Sequence, residues 1–211
     1  MNKYVKLKAT DCNVSLKVAP GHFATNHSHI NYYIDMTTLK ARQSEAREVA
    51  KALSPRYLYD TIVDTIICLE GMEVVGAYLA EELSRGGVMS KNAHNAIYVI
   101  TPEFNSNSQM IFRDNFIPMI KGKNIILLMS SISTGKTINK GIECILYYEG
   151  ILRGIAAIFS ALEEENGIPI NSVFHKEDVP GYQTYDYRDC PFCKEGKRLD
   201  ALVNCYGYSL I

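Results

Sequence analysis

The sequence has no excess of charge of either sign. Its 22 basic side chains against 23 acidic ones leave a net charge of −1 over 211 residues. Without a basic field, nothing draws nucleic acid or an anionic lipid surface to it by long-range attraction. No apolar run approaches the ~20 residues of a membrane span, and the opening MNKYVKLKATDC lacks the apolar stretch of a secretory signal. There is no internal repeat and no low-complexity tract. The cysteines build no dense framework: Cys12, Cys68, Cys144, Cys190, Cys193 and Cys205 lie scattered, and Cys68 and Cys144 sit inside apolar segments as small core residues. These absences predict a reduced, cytoplasmic protein that works neither on nucleic acid nor in a membrane. What is present, 47% hydrophobic residues, suffices for one sizeable core or a core with a small appendage.

Periodicity gives the order of elements. After an irregular, histidine-containing stretch, NYYIDM is strand-like, and from Thr38 the segment TLKARQSEAREVAKAL predicts one helix. Its apolar face is Ala46, Val49, Ala50 and Leu53, and Ser54-Pro55 stops it. TIICL predicts a buried strand. The following EGMEVVGAYLAEELSRGG predicts a turn and a helix, with Gly86-Gly87 as its C-cap. AIYVI is another strand, TPEFNSNSQ a polar loop, IILLM a strand, Lys136–Glu149 a helix and GIAAIFSA a strand. Strands alternating with helices predict an α/β fold: a mainly parallel sheet flanked by helices. The tyrosine-rich, aperiodic tail after Val179 reads as an appendage. The expected organisation is a domain over residues 1–179, with a hood over about 1–37, and a Cys-containing C-terminal appendage over 180–211.

The stretch with the clearest chemistry is NIILLMSSISTGKTINKGIECILYYEG. A buried strand delivers the chain to the carboxyl edge of the sheet, where α/β proteins bind ligands. Ser133, Thr134, Gly135, Lys136 and Thr137 then form a turn and a helix start, whose N–H groups and dipole favour an anion. Gly135 permits close approach of backbone to ligand, and the three hydroxyls can add donors. An ordinary Ser/Thr-capped helix has the same residue types. A Walker A loop fits poorly, since glycine would have to stand where Ser130 does.

Strand, loop and helix together resemble the phosphoribosyl-pyrophosphate (PRPP) motif of type I phosphoribosyltransferases: an apolar strand, two acids, two variable residues, then Thr-Gly-x-Thr. GHFATNHSHINYYIDM resembles the opening segment of the orotate members, with Ile30 to Asp35 in place of their Ser-Pro-Tyr-Tyr-Ile-Asp-like run. IICLEGMEVVGAYLAEEL resembles their pyrophosphate-loop strand and helix. The resemblance runs from about residue 14 to 175 and implies a homodimeric, magnesium-using transferase of nucleotide metabolism, such as pyrimidine biosynthesis. It would move the phosphoribosyl group of PRPP to a nitrogen base such as orotate. By the same resemblance Ser133, Thr134, Gly135, Lys136 and Thr137 hold the 5′-phosphate, and Glu70, Gly71 and Met72 offer backbone donors to the pyrophosphate. Tyr32, His27 and His29 lie in the segment that helps hold the base. No catalytic residue follows from the motif.

Two departures matter. The family's acidic pair falls on Met129 and Ser130, and no basic residue lies between Ile100 and Arg113, where orotate enzymes carry a basic mobile loop. Ser130 can bond a ribose hydroxyl without supplying charge. A complementary charge at a reacting centre contributes ~3–4 kcal/mol to such chemistry. The alternative implied is therefore a catalytically impaired protein that senses PRPP or a nucleotide and regulates a partner.

His22, His27 and His29 suit a base- or anion-recognition surface, a transition-metal site or a hydrogen-bonded loop. Cys190-Pro191-Phe192-Cys193 is a single CxxC pair, with Cys205 and His175 as conceivable further ligands. One pair with distant partners is a weak zinc signature, so zinc is not expected from sequence. Some orotate-type enzymes resemble this chain in ending with a Cys-Pro-x-Cys-Lys-x-Gly segment. The run Glu163-Glu164-Glu165 before Asn166-Gly167 reads as a solvated stretch entering a turn.

Overall fold

The computed structural model describes residues 4–211 apart from Asp11, Gly86, Val88, Met89, His94 and Ser108. Gly86, half of the expected C-cap, thus lies outside the described residues. The chain runs through β1 (Val5–Lys8), β2 (Ser15–Ala24) and β3 (His29–Asp35) into two helices, α1 (Thr37–Ala41) and α2 (Gln43–Leu53). Next come β4 (Thr65–Cys68), α3 (Glu73–Arg85) and β5 (Tyr98–Ile100). A small hairpin of β6 (Glu103–Phe104) and β7 (Met110–Ile111) occupies the segment expected to be a polar loop. Then follow β8 (Asn124–Ile132), α4 (Lys136–Tyr147), β9 (Ile151–Ser160), β10 (Glu164–Glu165) and β11 (Ile168–His175). The tail contributes β12 (Thr184–Tyr185), a one-turn α5 (Pro191–Lys194), β13 (Ala201–Asn204) and β14 (Gly207–Leu210).

The main sheet has the order β10-β11-β9-β8-β4-β5, parallel throughout except for the β10–β11 hairpin. Strand period 2 explains why its inner strands are uniformly apolar. Along β8, Ile126 and Leu128 enter the core that also holds Ala46, Val49, Ala50, Leu53 and Leu79. Ile125, Leu127 and Met129 enter the opposite one with Ile138 and Ile145 of α4. Both faces of the sheet are covered, as a parallel sheet requires.

The helix expected to run unbroken from Thr38 is two helices. Arg42 takes an extended conformation (φ −86°, ψ 118°), donates its N–H to the Thr38 carbonyl, and α2 starts afresh. The break gives Leu39 and Lys40 an axis of their own, separate from the core face of α2.

A second sheet forms the hood, in the order β12-β3-β2-β13-β14, with β1 also paired to β2. Residues 180–211 therefore complete this sheet rather than stand apart from it. Strand β13 lies parallel to the end of β2, Ala201 opposite Phe23, and β12 lies antiparallel to β3. Among the described residues no helix is long and apolar enough to cross a membrane.

Candidate functional site

A cleft of about 1140 Å³, counting its open mouth, lies between the carboxyl edge of the main sheet and the hood. Its floor is the end of β8. That strand runs out through Ser130, which is 1% exposed, and Ser131 and Ile132 into the turn 133–135. Gly135 is the N-cap of α4 in the left-handed conformation (φ 74°, ψ −12°), and no side chain caps the helix. The N–H groups of a first helical turn have no intrahelical acceptor. Here they open onto a cleft lined by Ser133, Thr134, Lys136 and Thr137. Ser133, Thr134, Gly135, Lys136 and Thr137 thus all border one cleft.

The second wall is the turn after β4. Glu70 and Gly71 both have positive φ, 60° and 78°. For a non-glycine residue that costs roughly 1–2 kcal/mol, so something must hold Glu70 there. Its carboxylate Oε2 accepts hydrogen bonds from the Ser130 hydroxyl at 2.5 Å, the Ser130 N–H at 3.1 Å and the Ser131 N–H at 3.2 Å. Strand β8 supplies no acid at 129 or 130, yet a carboxylate stands beside Ser130, brought from 60 residues upstream. Glu70 is also the only acidic side chain among the described residues lining the cleft.

Lys40 closes the arrangement from α1. Its Nζ donates to the Glu70 carbonyl at 2.8 Å and the Cys205 carbonyl at 2.5 Å, tying the β4 turn to the β13–β14 turn. Burial lowers its pKa; Cys205, Glu70, Glu73 and Asp35 oppose that shift. No sequence signal marked it, because a lysine in a short amphipathic helix reads as a solvated charge.

The other expected residues divide. His27 lies on the rim, in a β2–β3 turn pinned by the Thr25 hydroxyl, which accepts the N–H groups of His27 and Ser28. Tyr32 is absent from the cleft lining; strand alternation gives that place to Tyr33. Burial, then Asp35, raises the pKa of Tyr33, so its phenol stays protonated. Met72 is fully buried and its N–H is spent on the Leu69 carbonyl, so it offers no donor to a ligand. His29 is drawn away from the cleft toward His22 and Cys193. Cys205 borders the cleft and does not join the group around Cys190 and Cys193, and His175 bonds Ser172 at the end of β11.

Two basic side chains that follow the segment lacking basic residues, Arg113 and Lys121, are engaged by carboxylates. Arg113 donates twice to Glu103, at 2.7 and 3.0 Å, and Lys121 pairs with Glu149 at 2.8 Å. The Glu163–Glu165 run is only partly solvated. Glu165 accepts from the Asn139 side chain, and its carboxylate packs where a Cβ on Gly135 would sit.

No family model matches the sequence. Among solved structures, UMP synthase from Leishmania donovani superposes with a TM-score of 0.56 and 16% identity, covering 76% of this chain and 34% of that one. This chain thus spans about a third of that protein. Orotate phosphoribosyltransferase from Mycobacterium tuberculosis, solved with Fe(III) dicitrate, gives 0.53 and 13% over 78% of this chain and 93% of that one. Adenine phosphoribosyltransferase from Trypanosoma brucei, solved with AMP, pyrophosphate and ribose-5-phosphate, gives 0.52 and 12% over 76% and 78%.

Proposed function

We propose, from the type I phosphoribosyltransferase fold that this chain carries, that its cleft binds PRPP or a related ribose 5-phosphate and passes the phosphoribosyl group to a nitrogen base. Orotate is the first base to test. The observation that carries this reading is the uncapped start of α4, with left-handed Gly135, in one cleft with the Glu70-Gly71 turn. The 5′-phosphate would sit on the 133–137 turn, the ribose hydroxyls against Ser130 and Glu70, and the pyrophosphate beside Gly71 and Lys40.

In the transfer, the anomeric C–O bond breaks with its electron pair leaving on pyrophosphate, and the base nitrogen forms the new bond. Positive charge builds on the ribose, and the Glu70 carboxylate complements it from beside Ser130. Magnesium commonly binds through one or two carboxylates together with substrate phosphates, so a lone Glu70 fits that mode. When bound, the ion would neutralise the departing pyrophosphate. A homodimer would offer a second source of cations for that charge.

A second reading, a PRPP or nucleotide sensor without turnover, is favoured by the same details seen from the other side. Glu70 already accepts three hydrogen bonds, and Arg113 and Lys121 are held by carboxylates.

Calorimetric titration with PRPP, with and without magnesium, tests binding. Micromolar affinity, ~8 kcal/mol, is expected. No heat and no thermal shift in either buffer would overturn the ribose-phosphate reading. Ser130→Asp then separates the two forms: a weakened transferase gains orotidine 5′-phosphate formation from orotate, whereas a sensor changes only its affinity.

A further inference from the structure

A second cluster lies outside the cleft and serves neither reading. His22 of β2, His29 of β3, Cys190 at the N-cap of α5 and Cys193 within it converge until their four ligand atoms lie within 4.8 Å of one another. His22 Nε2 is 3.1 Å from His29 Nδ1, 3.4 Å from Cys190 Sγ and 3.6 Å from Cys193 Sγ, and His29 Nδ1 is 3.3 Å from Cys193 Sγ. A tetrahedral zinc with Zn–N near 2.05 Å and Zn–S near 2.3 Å puts ligand atoms about 3.3 Å apart for N···N and about 3.6 Å for N···S. The observed edges follow that pattern.

A further contact points the same way. His22 Nδ1 faces two backbone carbonyls, of Lys197 at 3.0 Å and Arg198 at 3.3 Å. Carbonyls only accept, so Nδ1 carries the proton and Nε2 turns a lone pair into the cluster. This is how a metal-binding histidine is normally fixed from behind. The backbone is shaped to the purpose as well. The β2–β3 register shifts between Pro20 and Phe23, and the resulting bulge lets His22 and Phe23 both be fully buried. Phe192 packs its ring 5.2 Å from that of His22, shielding one side.

We propose that His22, His29, Cys190 and Cys193 bind one zinc ion that fastens the C-terminal segment to the β2–β3 hairpin. Two thiolates and two neutral imidazoles balance its charge, and the closed four-ligand shell makes the site structural. The CxxC pair signals weakly in the sequence because its partners are histidines 161 to 171 residues away, not a second cysteine pair. The ion would lie at the root of the Thr25–Ser28 turn, whose Thr25, Asn26 and His27 line the cleft.

Metal analysis of the full chain, purified under reducing conditions without a chelator, should find about one zinc per chain. After stripping with a chelator, titration with cobalt(II) should produce visible bands of a tetrahedral ion and near-ultraviolet thiolate charge transfer. Cys193→Ser and His29→Gln should each weaken cobalt binding at least tenfold, and Cys205→Ser should leave it unchanged. Stripping should lower the melting temperature, and zinc alone should restore it. The proposal is overturned if wild-type protein with free thiols takes up neither zinc nor cobalt. Freshly isolated protein two hydrogens lighter, with Cys190 and Cys193 joined as a disulfide, also overturns it, as does metal uptake that survives both variants.

Discussion

Gly135 and Gly167 share a φ of 74° but differ in their surroundings. A Cβ on Gly135 would meet the Glu165 carboxylate and Leu162, whereas nothing lies near Gly167. Gly167→Ala should cost about 1 kcal/mol from conformation alone and leave PRPP binding intact. Gly135→Ala adds a collision at the phosphate turn, so calorimetry should show binding lost along with a similar or larger fall in stability. Lys40 makes a second prediction at this scale. Lys40→Met removes the tie between the Glu70 and Cys205 carbonyls while relieving the burial of a charge, so melting temperature should change less than PRPP affinity, which falls. The lowered pKa gives a sign: between it and the ordinary value near 10.5, the unfolded chain holds a proton the folded one has released. Stability from this group therefore rises with pH across that window. The strand, turn and helix start at 133–137 were legible from residue types alone, since hydroxyls, glycine and strand-to-helix context are local. Glu70 beside Ser130 was not, because only the folded sheet brings β4 and β8 together.

Among the elements, β8 sends side chains into both cores of the main sheet. Leu128 is fully buried against the α2–α3 side of the sheet, whereas Tyr147 at the end of α4 is 80% exposed. Leu128→Ala should cost about 2–5 kcal/mol in urea unfolding. Tyr147→Ala should stay within about 0.5 kcal/mol. The β6–β7 hairpin behaves differently: its Glu103–Arg113 pair is exposed, so Glu103→Gln should leave the melting temperature unchanged while freeing the guanidinium. The alternation of β4, α3, β5, β8, α4 and β9 could be read from periodicity because each element buries a regular face. The break at Arg42 could not, since Thr37–Leu53 keeps a continuous helical pattern across it. Four-residue strands such as β13 and β14 carry too little pattern to separate from a polar tail.

At the scale of the molecule, alkaline pH is informative. Burial pushes the Tyr57 phenol up to about 12 and also raises the Cys68 thiol. A raised folded pKa means the fold retains a proton the unfolded chain loses. Stability is then complete below the unfolded value, near 10 for tyrosine, and falls as pH climbs toward 12, by about 1.4 kcal/mol per pH unit for each such group. Urea midpoints measured from about pH 9 to about 11.5 should drop accordingly. Tyr57→Phe should flatten that slope, while costing about 1 kcal/mol at neutral pH for the hydrogen bond Tyr57 donates to the Ile155 carbonyl. Ending the chain at Gly181 would remove β12, β13, β14 and α5 together, stripping β2 and β3 of partners. A cooperative melt of the hood should disappear.

The pairing of β13 with β2 also sets an order in time. On a ribosome the main sheet is available once β11 has emerged, but Phe23 must wait for Ala201, a further 26 residues past His175. Contacts so distant in sequence form slowly, because a long loop must close before they stabilise anything. Pulse-labelled hydrogen exchange during refolding should therefore protect the amides of β8 and β9 first and those that join β13 to the end of β2 last. In that interval the chain has its 133–137 turn but lacks the β13–β14 side of the cleft. Completion of the cleft arrives as a late event, separate from collapse.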